Sequence, residues 1–314
     1  MSKKLTHPVV YLSGGLGNQL FQVASGLQLN SKRITFNISQ IRGKFELNDF
    51  LNYLALKRGI QVDVDITNPS KFFIATHNYI LRSTQWNESL FLKKLPIDIA
   101  RFAMGIRNSF KSPMFVTDES RVGDLIKGKG REANLYLVGY FQTQEVAKEI
   151  ANELAGYLDS ISLETAEKDS KGDSIAIVHV RRGDYSSEER IGMLSLSYFQ
   201  NAIREIENNC KNLDIKLFSN GNIDLEDLAR PYSMRSITFV DSNSALDLLN
   251  KMRDGKIFII SNSTLSWWAA YLCSNPEKRV LYPDPWFRNL PKPVNLCSKT
   301  WEAFPAIWSE ESEE

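Results

Sequence analysis

The chain has 314 residues, room for two domains of ordinary size, and its 43% hydrophobic and 24% charged content is that of a globular protein rather than a disordered one. A net charge of +1 gives no reason to expect nucleic acid as the partner. Cys210, Cys273 and Cys297 are odd in number and form no CxxC pair, which argues against a disulfide framework or zinc site and for reduced thiols in the cytoplasm. The segment 1–8 has no apolar signal core and no stretch approaches membrane-spanning length, so neither secretion nor a built-in anchor is expected.

Pro8-Val-Val-Tyr-Leu12 reads as a short strand, Ser13-Gly-Gly-Leu-Gly-Asn-Gln19 as a glycine loop, and the residues from Leu20 as a helix. Strand, glycine loop and helix form the layout of an anion-binding turn, because glycines let a ligand approach the N–H groups at a helix start. A dinucleotide fingerprint is excluded: GxGxxG counted from Gly15 needs a glycine where Leu20 stands, and the strand 34–36 is followed by Asn37, not an acid. No GK[ST] follows either, so the loop is not a P-loop. What remains is a tight turn through Gly15 and Gly17 that offers the amides of Asn18 and Gln19 to a polar ligand, or a helix start capped by Asn.

Residues 45–51 have an alternating, turn-like pattern, and 59–66 read as a half-exposed strand. Within the latter, Asp63 and Asp65 have a spacing that can hold a divalent metal, but no polar ligand cluster accompanies them, so a solvated face is expected and no metal. Residues 89–110 interleave apolar and basic side chains, which suits a core helix or a surface resting on anionic lipid. A strand at 135–138 leads through Gly139-Tyr-Phe-Gln-Thr-Gln144 into a helix expected from about Glu145 to Leu158. The polar run 164–173 is the linker candidate, which divides the chain into domains 1–160 and 161–314.

The second half alternates strands (174–180, 215–218, 237–240, 257–260, 279–282) with helical patterns, the rhythm of a doubly wound parallel sheet. Open α/β sheets bind ligands beyond the carboxyl ends of their strands. The first strand ends in His179, Arg181, Arg182 and Asp184, and two adjacent guanidiniums there ask for an anion; the plain alternative is a surface Arg pair bonded to Asp184 and another carboxylate. Ser261-Asn-Ser-Thr264 opens a helix, so Ser263 and Thr264 with its free N–H groups make a second anion cradle, or simply a cap. Two anion sites at neighbouring strand ends suggest a diphosphate, and Asp241 at a third strand end suits the donor edge of a base.

Three stretches, Gly14-Gly-Leu-Gly-Asn-Gln-Leu-Phe-Gln22, His179-Val-Arg-Arg-Gly-Asp184 and Asn262-Ser-Thr-Leu-Ser-Trp-Trp268, together resemble the bacterial α-1,2-fucosyltransferases. Val138-Gly-Tyr-Phe-Gln142, Leu217-Phe-Ser-Asn220, Asn275-Pro-Glu-Lys278 and Pro285-Trp-Phe287 extend the likeness, which runs in order from about residue 9 to 288. The HxRRxD element is shared with other fucosyltransferases, whereas its combination with the other two motifs is specific to the α-1,2 group.

The resemblance implies a GT-B-like α/β fold, with two Rossmann-like doubly wound domains facing across a cleft: an acceptor domain first, a GDP-fucose domain second. It implies inverting transfer of L-fucose to the 2-hydroxyl of a terminal galactose on an oligosaccharide, without metal or other cofactor; where that acceptor is lipid-linked, the basic amphipathic residues 89–110 are the candidates for peripheral membrane contact. By position, Arg181 is similar to the arginine on the β-phosphate, and His179 resembles the residue near ribose and phosphates; these two are the catalytic candidates. Asn18, Asp241, Ser263 and Thr264 join Arg181 as donor-binding candidates, while Arg182, Asp184, Gly15 and Gly17 are supporting. Asn220, Gly221 and Leu265 depart from the family pattern, and no carboxylate stands out as the general base. The runner-up reading is another fucosyl linkage or acceptor, and from a different class an NAD-dependent Rossmann oxidoreductase.

Overall fold

The computed structural model describes residues 7–67, 114–116, 135–162, 175–182, 188–208, 210, 213–221, 223, 228 and 236–309. The expected amphipathic segment 89–110, the linker 164–173 and Asp184 lie outside the described residues. Contacts divide the chain into two units, one of Met1–Tyr157 with Pro293–Leu296 and one of Leu158–Lys292 with Cys297–Glu314. The division expected at 160/161 is set beside a junction at 157/158 and a return of residues 293–296 to the first unit.

In the first unit, β1 (Val9–Tyr11), β2 (Arg33–Asn37), β3 (Gln61–Asp65), β4 (Met114–Val116) and β5 (Leu135–Leu137) form one parallel sheet in the order β3-β2-β1-β5-β4. Helix α1 (Leu16–Leu27) lies on the face carrying Val10, Ile34 and Phe36. Its approach is close because Gly26 has no side chain: a Cβ there would stand 2.7 Å from Val10. Helix α2 (Asn48–Arg58) occupies the stretch expected to be turn-like. The alternation at 45–51 is the edge of a helical pattern, since Phe50, Leu51 and Leu54 are its buried residues. Gly59, left-handed at φ 61, ends the helix.

The helix expected over 145–158 is two, α3 (Gln144–Ala147) and α4 (Ala151–Ser162). Arg58 supplies a physical reason. Its guanidinium bonds the Glu149 backbone carbonyl, which would otherwise serve the helix ladder, and also reaches the Glu149 carboxylate at 2.7 Å and that of Glu153 at 2.7 Å.

In the second unit, β6 (Ile175–Val180), β7 (Asp214–Ser219), β8 (Ser236–Phe239), β9 (Ile257–Ile259), β10 (Arg279–Asp284) and β11 (Glu302–Pro305) form a parallel sheet ordered β11-β10-β9-β6-β7-β8. That is the strand order of a dinucleotide-binding fold, running outward from β6 through β7 to β8 and then back to β9, β10 and β11. One face packs on α5 (Leu196–Glu207), whose Tyr198, Phe199, Ala202, Ile203 and Ile206 meet Val178, Ile215 and Ile259 in the core. Helices α6 (Ala245–Met252) and α7 (Thr264–Leu272) pack against one another. Strand β11 is an addition to the expected set. The class is therefore α/β with two Rossmann-like units, the fold class the resemblance implied. Among the described residues no helix is long and apolar enough to cross a membrane.

Candidate active site

In each sheet the strand order reverses direction beside the first strand, and the crevice outside such a reversal is where open α/β sheets bind ligands. In the second unit the reversal lies between β6 and β9. Ala176, Ile177 and Val178 of β6 pair with Ile257, Phe258 and Ile259 of β9, so the two strands leave the sheet side by side. His179 through Arg182 at one exit and Ser261 through Thr264 at the other are thereby brought to one place by backbone pairing alone.

His179 is fully buried, and its Nδ1 lies 3.3 Å from the Ser261 hydroxyl. Burial and then the neighbouring Arg181 charge push its pKa down to about 3, so the ring is neutral at physiological pH. Its Nε2 is buried with no hydrogen-bond partner among the described residues. Arg181, the next residue but one, is partly buried. Arg182 behaves differently. Its backbone N–H donates to Asn220 Oδ1 at 2.7 Å, the Asn220 amide returns to the Arg182 carbonyl at 3.5 Å, and the guanidinium donates to the Leu194 carbonyl at 3.3 Å. Asn220, a departure from the family pattern, thus holds the end of β6.

Across the reversal, Ser263 is the N-cap of α7 and its hydroxyl oxygen accepts the Leu265 N–H at 3.3 Å. The capping and ligand readings are compatible, because a hydroxyl that accepts one bond still has its own hydrogen to donate. Thr264 is the first residue of the helix, placed at its positive end. Asn262, buried, donates to the carbonyls of Ile191 and Gly192 at 3.2 and 2.9 Å and so ties down the segment preceding α5. Trp267 and Trp268 are fully buried, with Trp267 stacked on Tyr271 at 4.7 Å, and fix α7 from below. Asp241 stands apart from the clamp. It is exposed just beyond β8, two strands from β6, and its Oδ1 accepts the Ser242 N–H at 2.7 Å.

In the first unit the reversal lies between β1 and β5. Gln22, fully buried, welds the two exits: its Oε1 accepts the Ser13 N–H at 2.9 Å, and its Nε2 reaches the Ser13 hydroxyl at 3.2 Å and the Gly139 carbonyl at 2.8 Å. The N-cap of α1 is Gly15, not Asn18, so the Asn-cap alternative is replaced. A Cβ on Gly15 would meet nothing within 4 Å, which leaves its backbone approachable. Gly17 is buried inside the first turn. Asn18 accepts at Oδ1 from Gln142 Nε2 at 2.9 Å, and Gln19 Nε2 donates to the Gly14 carbonyl at 2.8 Å. Gly14 is the glycine the loop needs most: its φ is 73°, and a Cβ would stand 2.8 Å from Asn18 Nδ2.

Asp63 and Asp65 are occupied separately. Arg33 Nε donates to Asp63 at 2.6 Å, whereas Asp65 takes Asn37 Nδ2 at 3.0 Å and the Thr67 N–H at 2.8 Å. These bonds hold both carboxyls below the usual carboxylate range, led by Arg33 for Asp63 and by Thr67 for Asp65. Among the described residues there is no group of three or more His, Cys, Asp or Glu that could hold a metal ion. Sequence reading did not single out Gln22, Gln142 or Gly14. The available signal was that all three lie inside the stretches that carried the family likeness.

The chain is 25% identical over 310 residues to an alpha-1,2-colitosyltransferase of Escherichia coli, covering 93% of this chain and 97% of the relative. It is 27% identical over 312 residues to the O-antigen biosynthesis glycosyltransferase WbnK of Escherichia coli, covering 88% and 93%. Among solved structures, fucosyltransferase NodZ from Bradyrhizobium aligns with a TM-score of 0.46 at 16% identity, covering 86% of this chain and 94% of that one. POFUT1 in complex with GDP aligns with a TM-score of 0.46 at 13% identity, covering 90% and 99%. The model of glycosyl transferase family 11 matches residues 9–284, and the chain belongs to that family.

Proposed function

We propose that this glycosyltransferase moves L-fucose from GDP-fucose to the 2-hydroxyl of a terminal galactose on an oligosaccharide, with inversion and without a metal. The observation that carries the donor part is the reversal between β6 and β9, which sets Arg181 and the N-terminus of α7 at neighbouring strand ends. Departure of GDP places growing negative charge on the β-phosphate. A fixed guanidinium and helix N–H groups stabilise that charge more in the transition state than in the ground state, as catalysis requires. In this reading Arg181 holds the β-phosphate, Ser263 and Thr264 the other end of the diphosphate, neutral His179 lies near ribose and phosphates, and Asp241 reads the guanine edge.

The first unit would take the acceptor, with Asn18 offered at its own reversal. The galactoside and the α-1,2 linkage rest on the motif combination GGLGNQ, HVRRGD and NSTLSWW and on the relative named for an α-1,2 transfer. That relative also makes the donor sugar a real variable, so a GDP-colitose donor is the second reading.

The deciding experiment incubates the purified protein with GDP-fucose or GDP-colitose and a galactose-terminated acceptor, and determines linkage and anomeric configuration by NMR. The expected product is an α-L-fucoside at O2 of galactose. A product lacking the 1,2 bond, or turnover confined to the colitosyl donor, sinks the leading version.

A further inference from the structure

The end of β8 is closed by side chains that belong to α6. We infer that Lys251 is a positioning residue for base recognition: it grips the Asp241 peptide and so keeps the Asp241 carboxylate at one place beyond the sheet edge. The inference rests on the reading above in one respect, that Asp241 takes the donor edge of the base.

Sheet pairing stops one residue short of Asp241. The Val240 N–H donates to the Leu217 carbonyl at 2.8 Å, and among the described residues no backbone bond between β7 and the chain after β8 follows it. The next carbonyl, that of Asp241, is taken by Lys251 Nζ at 2.9 Å. The ammonium is itself held by Asp247 Oδ2 at 2.9 Å, four positions back on the same face of α6. That Asp247 oxygen also accepts the Asn243 N–H at 3.0 Å, while the Asp247 N–H donates to the N-cap hydroxyl of Ser244 at 3.1 Å. Residues 241, 243 and 244 are thus each tied to the helix that follows them.

The frame that carries Lys251 is fixed in turn. Leu248, Leu249 and Met252 of α6 are buried. Asn250 Nδ2 donates to the Ser162 hydroxyl at 2.6 Å, and Arg253 donates to Asn250 Oδ1 at 2.9 Å and pairs with Asp159.

Asp241 itself is exposed. Its Oδ1 accepts the Ser242 N–H at 2.7 Å, and nothing bonds its Oδ2 among the described residues. A carboxylate only accepts, and guanine presents two parallel donors, its ring N–H and its amino group, where adenine has a bare ring nitrogen. Two strand spacings separate β8 from β6, roughly 10 Å, a gap of the order that ribose and base span from the diphosphate. A contact so far from the reacting bond holds ground state and transition state alike, so its loss should raise the donor KM and spare kcat.

The test uses Lys251→Met, which keeps the apolar stem and deletes the donor, alone and combined with Asp241→Ala in the full chain. Calorimetry gives the affinities of GDP and of ADP, which share ribose and diphosphate, and turnover with GDP-fucose and a galactoside gives kcat and the donor KM. Asp241→Ala is expected to weaken GDP by about 10- to 100-fold, with ADP within about twofold of wild type. Lys251→Met is expected to weaken GDP by about 3- to 10-fold, again sparing ADP, and to raise the donor KM with kcat within about twofold. Lys251→Arg, which keeps a charged donor, should return most of that loss. In the Asp241→Ala background Lys251→Met should change GDP affinity by less than about twofold.

GDP and ADP weakened in parallel, or a loss on GDP that persists without Asp241, would make Lys251 a structural residue only and overturn the inference. GDP affinity untouched by Lys251→Met, while Asp241→Ala lowers it, overturns the inference and leaves the base reading standing. Should the wild type bind GDP no tighter than ADP, or Asp241→Ala leave GDP affinity intact, the base reading falls and the inference with it. Should Lys251→Met not fold, Lys251→Gln is read by the same ratio of GDP to ADP affinity.

Discussion

Arg181 and His179 stand two residues apart at the end of β6, yet the fold treats their charges in opposite ways. The Arg181 guanidinium stays charged, as arginine does in proteins, while the imidazole beside it is kept neutral by burial and by that same charge. If Arg181 stabilises departing GDP, Arg181→Ala should remove about 2–4 kcal/mol of transition-state stabilisation, the scale of deleting an oxyanion donor. Steady-state kcat/KM of the folded variant measures this, and near-normal turnover would assign Arg181 elsewhere.

His179 has a signature in stability. Its folded pKa of about 3 lies below the ordinary 6.5. Between those values the unfolded chain binds a proton that the folded chain refuses. Stability contributed by the neutral ring is thus complete above pH 6.5 and drains away as pH falls toward 3, at about 1.4 kcal/mol per pH unit. Urea midpoints from pH 7.5 to 5 should fall less steeply for His179→Gln than for wild type. Parallel slopes would show that the ring is not the group responsible. Asp63 and Asp65 act in a different window, since the stability their lowered pKa values contribute is present above the ordinary carboxylate range and is lost only as pH falls below it.

Helix α7 shows how an element serves the site at one end and is secured at the other. Its N-terminus carries Ser263 and Thr264; at its C-terminus Lys278 Nζ donates to the carbonyls of Tyr271 and Cys273, at 3.2 and 2.6 Å. A cation on terminal carbonyls satisfies orphan acceptors and complements the helix dipole. Lys278→Met should therefore destabilise the protein by about 1–3 kcal/mol, the worth of charge-assisted hydrogen bonds. The loss should show in the urea midpoint, and a variant as stable as wild type would leave the cap without energetic weight.

The strand ends of the second unit were legible because short apolar runs stop at polar residues, as Ile175 to Val180 stops at Arg181. The βα rhythm announces a parallel sheet, whereas the β6–β9 adjacency is a matter of strand order, which the rhythm does not fix. Helix α2 was misread because the window closed at Leu51, before Leu54 completed the helical spacing. Strand β11 was missed because Glu302-Ala-Phe-Pro305 is a largely exposed edge, recruited by register with Leu281 to Asp284 rather than by its own pattern. The Gln142–Asn18 bond leaves no local trace at all, because it exists only once two distant loops share a sheet edge.

At the scale of the whole molecule, the proposed function leaves the charge of the departing diphosphate to side chains and helix ends, and on that proposal activity should persist in excess chelator. Loss of turnover that Mg or Mn restores would return Asp63 and Asp65 to consideration, against their separate bonds to Arg33 and to Asn37 with Thr67. The three thiols should be poor nucleophiles where buried. Cys297 is pushed up to about 12 by burial, and the Cys273 thiol donates to the Gly255 carbonyl at 3.2 Å.

The return of residues 293–296 to the first unit bears on how such proteins can be recombined. The Asn295 carbonyl accepts the Gln144 N–H at 3.1 Å, and Leu296 is fully buried. A hybrid that joins one relative's first 157 residues to another's remainder therefore imports a foreign four-residue plug into the recipient unit. If the first unit takes the acceptor, as proposed, exchange of acceptor specificity between relatives is expected to tolerate the swap only when that plug travels with the first unit, which requires junctions at 157/158, 292/293 and 296/297. The gene, in this respect, is less modular than the fold.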